Sequence, residues 1–214
     1  MFRALTAMGA AAAFAATAFT PRAAAAAEDP PPGRVLIEVA TVNGAGCPAG
    51  TVAVAVAPDN AAFTITFGSV IAQVGLGSKP SDSLKSCQVR LSVHPPQGYT
   101  YALDGADYAG MVHLAKGASG EVTVDNYVQG TPPAPRKRTF TGPVSENWQL
   151  SGAPDPVVYA PCSVSQAFNL SFALRVNAGT SDTSTTTSFL TLESTDGSDA
   201  RLVYHLAWKR CPGS

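Results

Sequence analysis

The sequence predicts an all-β protein, an antiparallel β-sandwich of about ten strands stapled by two disulfides. Three observations carry this. Apolar residues alternate with polar ones through most of the chain, which is the pattern of strands with one face in a core. Glycine, proline, asparagine and aspartate gather between these runs, as turns between short strands require. Four cysteines follow an export-like N-terminus, and an even count in an exported chain reads as a disulfide framework. No segment after residue 27 keeps a 3.6-residue apolar period.

Residues 1–27 read as a signal peptide. Arg3 is the one early cation, the run to Thr20 is otherwise uncharged, and Ala25-Ala26-Ala27 offers the small-x-small pattern of a cleavage site. Crossing a bilayer takes about 20 strongly apolar residues, and alanine is too weakly hydrophobic to serve as one of them. The expectation is therefore a secreted protein starting near Glu28, with no membrane span once the signal is removed. The first cysteine is Cys47 and no Arg-Arg pair precedes the apolar run, which argues against a lipid anchor and twin-arginine export. Residues 28–33, "EDPPPG", form a short extended arm. Residues 34–214 are expected to form a single domain, long enough to bury a full core.

Along that domain, Val35, Ile37 and Val39 share one parity, with Arg34 and Glu38 on the other. Next comes "GAGCPAG", 44–50. A glycine loop that cradles phosphate must open a helix, whose free N–H groups hold the anion. Here it feeds "TVAVAVA", a strand with Val52, Val54 and Val56 on one face, and Pro48 removes a donor. It is a turn. "PDN" at 58–60 joins this strand to Phe63, Ile65 and Phe67. Cys87, Val89, Leu91 and Val93 alternate with Gln88, Arg90, Ser92 and His94. "KGASG" at 116–120 is expected to join two paired strands, as is "TDGSD" at 195–199. Phe168, Leu170, Phe172, Leu174 and Val176 form the longest alternating run, and Leu202 to Trp208 the last. The Thr/Ser-rich 178–188 suits a flexible loop or an edge strand.

Charge narrows the function classes. Lys plus Arg number 14 against 15 Asp plus Glu, a net charge of -1, so no long-range field favours nucleic acid or an acidic membrane. Arg136-Lys137-Arg138, after the stiff "TPPAP", reads as an exposed strand or loop guarded by charge. The four cysteines allow three pairings. Cys47–Cys87 and Cys162–Cys211 are preferred, because each pair brackets a run of predicted strands. The chain has no Cys-x-x-Cys, and only His205 lies within a few residues of a cysteine, so a zinc site is unsupported.

Catalytic signatures are equally sparse. No Gly-x-Ser-x-Gly elbow occurs, and the nearest glycine-flanked serine, in "GLGSKP", reads as loop. His94, His113 and His205 fall off the apolar parity of their strands and so belong on outer faces. Glu193, Asp196, Asp199 and Asp182 fail the spacing of a calcium loop. No catalytic residue, metal site or cofactor is implied. Asn169-Leu170-Ser171 matches a glycosylation sequon with both polar side chains outward. Trp148, set among Glu146, Asn147 and Gln149, is the candidate ligand-binding aromatic; Tyr99, Tyr101, Tyr108, Tyr127 and Tyr159 sit in mixed surroundings.

"GAGCPAGTVAVAVAPDNAAFTITF", "SCQVRLSVHPPQGYTYAL", "ADYAG", "APCS" and "TDGSDARLVYHLAWKRC" together resemble a secreted family of bacteria and fungi, catalogued as domain of unknown function 4360. The likeness runs from about Gly33 to Cys211, and the Gly-Cys-Pro turn and the Trp-x-x-Cys ending are its most specific parts. It implies a signal peptide, a β-rich domain and the cysteine framework. It brings no activity. Ser163 and "HPPQGY" depart from the family's usual residues. The expected function is a non-catalytic extracellular interaction or surface-associated protein, its partner a cell-wall or surface glycan or protein. One alternative is a glycan-binding module, which needs two or three aromatics in one exposed plane. Another is an extracellular hydrolase with acidic residues on loops.

Overall fold

Alternation gives each strand one apolar face, and two sheets laid face to face bury those faces against each other. The computed structural model describes residues 28–213 apart from Pro132, Ala134, Asp155, Ser163 and 194–199. The expected signal peptide lies outside the described residues. The strands, in chain order, are β1 (Leu36–Asn43), β2 (Ala53–Val56), β3 (Ala62–Thr66), β4 (Val70–Gly75), β5 (Leu84–His94), β6 (Tyr99–Leu114), β7 (Ser119–Val128), β8 (Arg136–Thr141), β9 (Val144–Gly152), β10 (Gln166–Asn177), β11 (Thr187–Leu192) and β12 (Arg201–Arg210). Among the described residues the helical content is one 3-10 turn, Pro80–Ser83.

One sheet has five strands in the order β1-β5-β10-β7-β8. The other has seven, β2-β3-β12-β6-β11-β4, with β9 also on β6. Every pairing is antiparallel. The long β6 organises this second sheet. Its Ala106 and Asp107 pair with both β9 and β12, and its Val112 and His113 with both β9 and β11. A residue paired twice has its partners on opposite edges, so β12 and β11 succeed one another along one edge of β6 while β9 holds the other.

Between the sheets, Phe63 of β3 stacks on Tyr204 of β12 with centroids 5.0 Å apart, and Phe168 of β10 meets Tyr204 edge-on at 5.0 Å. Phe67 and Phe172 make a second edge-on contact across the interface at 5.3 Å. Two tyrosine hydroxyls of β6 tie the sheets together, Tyr101 donating to the Gln166 carbonyl at 3.3 Å and Tyr108 to Asn126 Oδ1 at 2.5 Å. Burial pushes the Tyr108 phenol up to about 12.

The bridges are Cys47–Cys87 and Cys162–Cys211, with Cα separations of 5.4 and 5.8 Å. Gly44 and Gly46 explain the first. The turn crosses β5 so closely that a Cβ on Gly44, at φ +128°, would strike the Ser86 carbonyl, and Gly46 N–H donates to that carbonyl at 2.8 Å. This delivers Cys47 to Cys87. Both pairings are the expected ones, but they do not each enclose a run of neighbouring strands. β10, bracketed by the second pair, lies in the five-stranded sheet, whereas β11 and β12 lie in the other.

Two turns also connect differently from the expected hairpins. "PDN" does link the paired β2 and β3, but 116–120 carries the chain from β6 in one sheet to β7 in the other. "TDGSD" lies outside the described residues, and its flanking strands β11 and β12 both pair with β6 rather than with each other. Residues 178–186 are the expected loop, while Thr187 opens β11.

The arm is fastened to the domain. Glu28 N–H donates to the Trp208 carbonyl at 3.1 Å, and Asn60 Nδ2 donates to Pro31 and Gly33 at 2.9 and 2.8 Å. Trp208 Nε1 in turn donates to the Asn60 carbonyl at 2.8 Å. The basic triplet forms the edge strand β8, as its charge implied. Arg138 Nη1 donates to the Gln149 carbonyl at 2.6 Å and Arg136 to the Ala153 carbonyl. Arg138 thus occupies an acceptor on the open edge of β9 and Arg136 one just past its end, a way of keeping an edge from pairing with another chain.

Candidate binding face

Inward parity on β5, β10 and β7 places Val89, Leu170 and Val124 in the core and turns their neighbours outward. β1 joins this outer face through a bulge. Ile37 and Val39 pair with the inward Val93 and Leu91, but the register slips after Val39, so Thr41 pairs with Arg90 and Asn43 with Gln88. One extra residue moves the side chains beyond it to the other face. Two cross-strand rows result. Thr41, Arg90, Asn169 and Tyr127 form one; Asn43, Gln88, Ser171 and Asp125 form the other.

These rows line a hollow of about 360 Å³, with Pro133 at its rim. Arg90 and Asp125 cancel in charge, and the other six side chains are neutral. Arg90 Nη2 donates to Gln129 Oε1 at 3.2 Å. The side chains of Thr41, Asn43, Gln88, Tyr127, Asn169 and Ser171 have no hydrogen-bond partner among the described residues. Asp125 Oδ1, shielded from solvent, also lacks one. Two outward carboxylates elsewhere on the sheet are paired: Glu38 meets His94, and Glu121 meets Lys137, which holds the Glu121 carboxyl below the usual range. The sequon residues Asn169 and Ser171 stand in the middle of the hollow.

The residues singled out from the sequence scatter over the molecule. Trp148 is 1% exposed, and this corrects its reading as a surface aromatic. It shares the inward parity of Leu150, lies against Gly110, whose added Cβ would come 2.7 Å from the ring, and tilts over Phe140 at 6.3 Å. Polar neighbours misled because on an edge strand they face water while the Trp faces in. Tyr101 and Tyr108 are buried. Tyr99 and Tyr159 lie beneath Arg210 and Lys209 at 5.9 and 5.8 Å. Tyr127 alone of the five stands in the hollow.

The histidines are on outer faces, as expected. His94 faces Glu38 at 3.4 Å, and His113 contacts Ser145 and stacks on Phe189. His205 Nε2 lies 2.7 Å from Asp107 Oδ2. Hydrogen bonds from His205 and Ser151 hold the Asp107 carboxyl below its usual range. A serine triad places the imidazole between acid and hydroxyl; here the carboxylate is in the middle. Among the described residues no three His, Cys, Asp or Glu side chains converge as metal ligands. Asp196 and Asp199 lie outside the described residues. Another hollow, of about 590 Å³, lies beside the Cys162–Cys211 bridge and is lined mainly by residues 94–99 and 211–213.

What sequence reasoning missed was the five-stranded sheet's outer face. Its signal was present in the polar parity of two strands, Gln88-x-Arg90 and Asn169-x-Ser171, but only register shows that the two pairs are side by side.

The family model of "Domain of unknown function (DUF4360)" matches residues 33–211. This chain belongs to the DUF4360 family. A relative from Arthroderma benhamiae, described as "Uncharacterized secreted protein", is 30% identical over 185 residues, covering 85% of this chain and 74% of its own. With two disulfides on the DUF4360 framework, the protein is a secreted one. Among solved structures, TmCBM61 in complex with β-1,4-galactotriose matches 80% of this chain and 88% of its own, at 12% identity and a TM-score of 0.30. That likeness is too distant to argue from. No helix among the described residues is long and apolar enough to cross a membrane.

Proposed function

We propose that this secreted protein is a non-catalytic binding protein, and that it engages an extracellular partner through the outer face of the five-stranded sheet. One observation carries the reading: eight polar or amphipathic side chains from four strands line one hollow, and six of them have no hydrogen-bond partner within the described protein. A sheet face needs polar residues only to stay wet. Side chains aligned in rows on paired strands are also held at fixed spacings, which suits recognition.

The test is a pull-down with the purified secreted chain, using cell-wall polysaccharides and surface-protein fractions as prey. Wild type is compared with the Gln88→Ala/Arg90→Ala double variant. Capture lost in the variant, with the melting temperature unchanged, supports the reading. Equal capture by both would move the partner to another surface.

A further inference from the structure

We infer that the hollow on the five-stranded sheet binds a neutral, hydroxyl-rich glycan chain; this rests on that face being the binding face. The hollow lies over β5 and β10, each of which pairs on both edges. A peptide joining the sheet would need an open edge, and the one bordering the hollow is the far side of β1, outside the two rows. A ligand lying over β5 and β10 is therefore recognised by side chains alone.

Those side chains define its chemistry. Asn43, Gln88 and Asn169 each carry an amide, with two donor hydrogens and an acceptor oxygen. Thr41 and Ser171 carry hydroxyls that donate and accept. A neighbouring pair of sugar hydroxyls also donates and accepts, so amides are matched by such groups and not by phosphate or sulfate, which only accept. Charge agrees. Arg90 is balanced by Asp125, so the hollow has no surplus cation to attract a polyanion.

Asp125 adds an independent indication. Its Oδ1 is shielded from solvent and has no donor among the described residues. A buried acceptor left unpaired costs free energy until a donor arrives. The χ2 of aspartate is broad, so a modest rotation turns this oxygen toward an O–H in the hollow. Tyr127, at the end of the other row, is the one aromatic among the described residues lining the hollow. Recognition therefore rests on the amides and hydroxyls rather than on the plane of two or three rings expected of a glycan-binding module, and the Tyr127 ring face is an addition to them. The C–H face of a sugar ring stacks on such a surface, and the phenol supplies a polar tip.

Size is compatible with a short stretch of polymer. Four strands span roughly 14 Å across the sheet, and the two rows stand roughly 7 Å apart along the strands. A chain running across the strands meets one side chain from each row at every strand. The site then binds internal segments of a polymer as readily as its ends.

The experiment uses the secreted chain made in a host that does not glycosylate asparagine, because a glycan on Asn169 would itself fill the hollow. Calorimetric titration is run with cellohexaose, xylohexaose, mannohexaose, laminarihexaose and chitohexaose, with an oligogalacturonate as the polyanion. The expected result is binding to at least one neutral hexasaccharide, weakened roughly tenfold by Tyr127→Ala and by Asn169→Ala. Ile71→Ser, on the outer face of the other sheet, should leave it unchanged, as should added salt. Because these residues face solvent, melting curves of all variants should overlay that of wild type. No binding to any neutral hexasaccharide, preference for the oligogalacturonate, or binding indifferent to both cleft variants would each overturn the inference. If a surface protein is captured instead and the Gln88→Ala/Arg90→Ala variant releases it, the face remains the binding face and only the glycan is refuted.

Discussion

Truncating Trp148 tests whether that ring holds the fold or faces a ligand. At 1% exposure it fills the space over Gly110 and against Phe140. A buried Trp→Ala change costs about 3–5 kcal/mol. An opposing effect reduces this. Trp148 Nε1 is shielded and has no acceptor among the described residues, and an unpaired buried donor costs about 1–3 kcal/mol, a penalty the alanine removes. The net loss for Trp148→Ala should be about 2 kcal/mol, or roughly 4–8 °C in melting temperature for a chain of this size. Trp148→Phe keeps most of the ring and also removes the unpaired N–H, so it should cost less than about 1.5 kcal/mol. Guanidinium and thermal denaturation, tracked by far-UV circular dichroism, measure both. Trp208 is likewise 1% exposed, so wild-type fluorescence should be blue-shifted and slow to quench with acrylamide. If Trp148→Ala melted within a degree of wild type, or Trp148→Phe cost as much as alanine, the packing argument would fail.

Non-reducing peptide maps of the secreted protein should contain 47–87 and 162–211 linked peptides. The sequence separations are 40 and 49 residues, so removing either bridge should cost about 4 kcal/mol on the chain-entropy model; a loss under a degree in melting temperature would contradict this. Arg136→Ala/Arg138→Ala uncovers the outer edge of β9, and light scattering should record concentration-dependent association that wild type lacks. Asp107 has its folded pKa depressed by His205 and Ser151. Its contribution is therefore present above the ordinary carboxyl value of 3.8, and is lost as pH falls through the folded one. The pair is half exposed, so the effect is under about 1 kcal/mol. Acid titrations of wild type and Asp107→Asn should diverge above about pH 4 and converge below it; parallel curves throughout would remove Asp107 from the account. Asn60→Ala deletes both side-chain bonds to the arm, and limited proteolysis should then clip the chain within residues 28–33 faster than in wild type.

The strands were legible because alternation is local: a residue's parity depends on its two neighbours and on nothing distant. That is how Cys87 to Val93 and Phe168 to Val176 announce themselves, and how His94 and His205 are placed outward. The glycine turn at 44–50 was legible for the same reason, since it leads directly into a strand. β4 was harder to see because Ile71, on its outer face, is apolar too and blurs the alternation.

Partnership between strands is a different kind of fact. Whether 116–120 closes a hairpin or carries the chain to the other sheet depends on where β7 finds its hydrogen bonds. Those lie on β10 and β8, far along the chain. The slip after Val39, which brings Thr41 and Asn43 onto the polar face, is one residue in a strand whose odd positions read continuously in the sequence. Trp148 looked exposed because its neighbours are polar, and became core because Gly110 on the paired strand leaves room for its ring. Composition, export and the strand pattern come from the sequence through short-range preferences. The hollow comes from register, which is set by how two buried faces fit, and that fit exists only once the chain has folded.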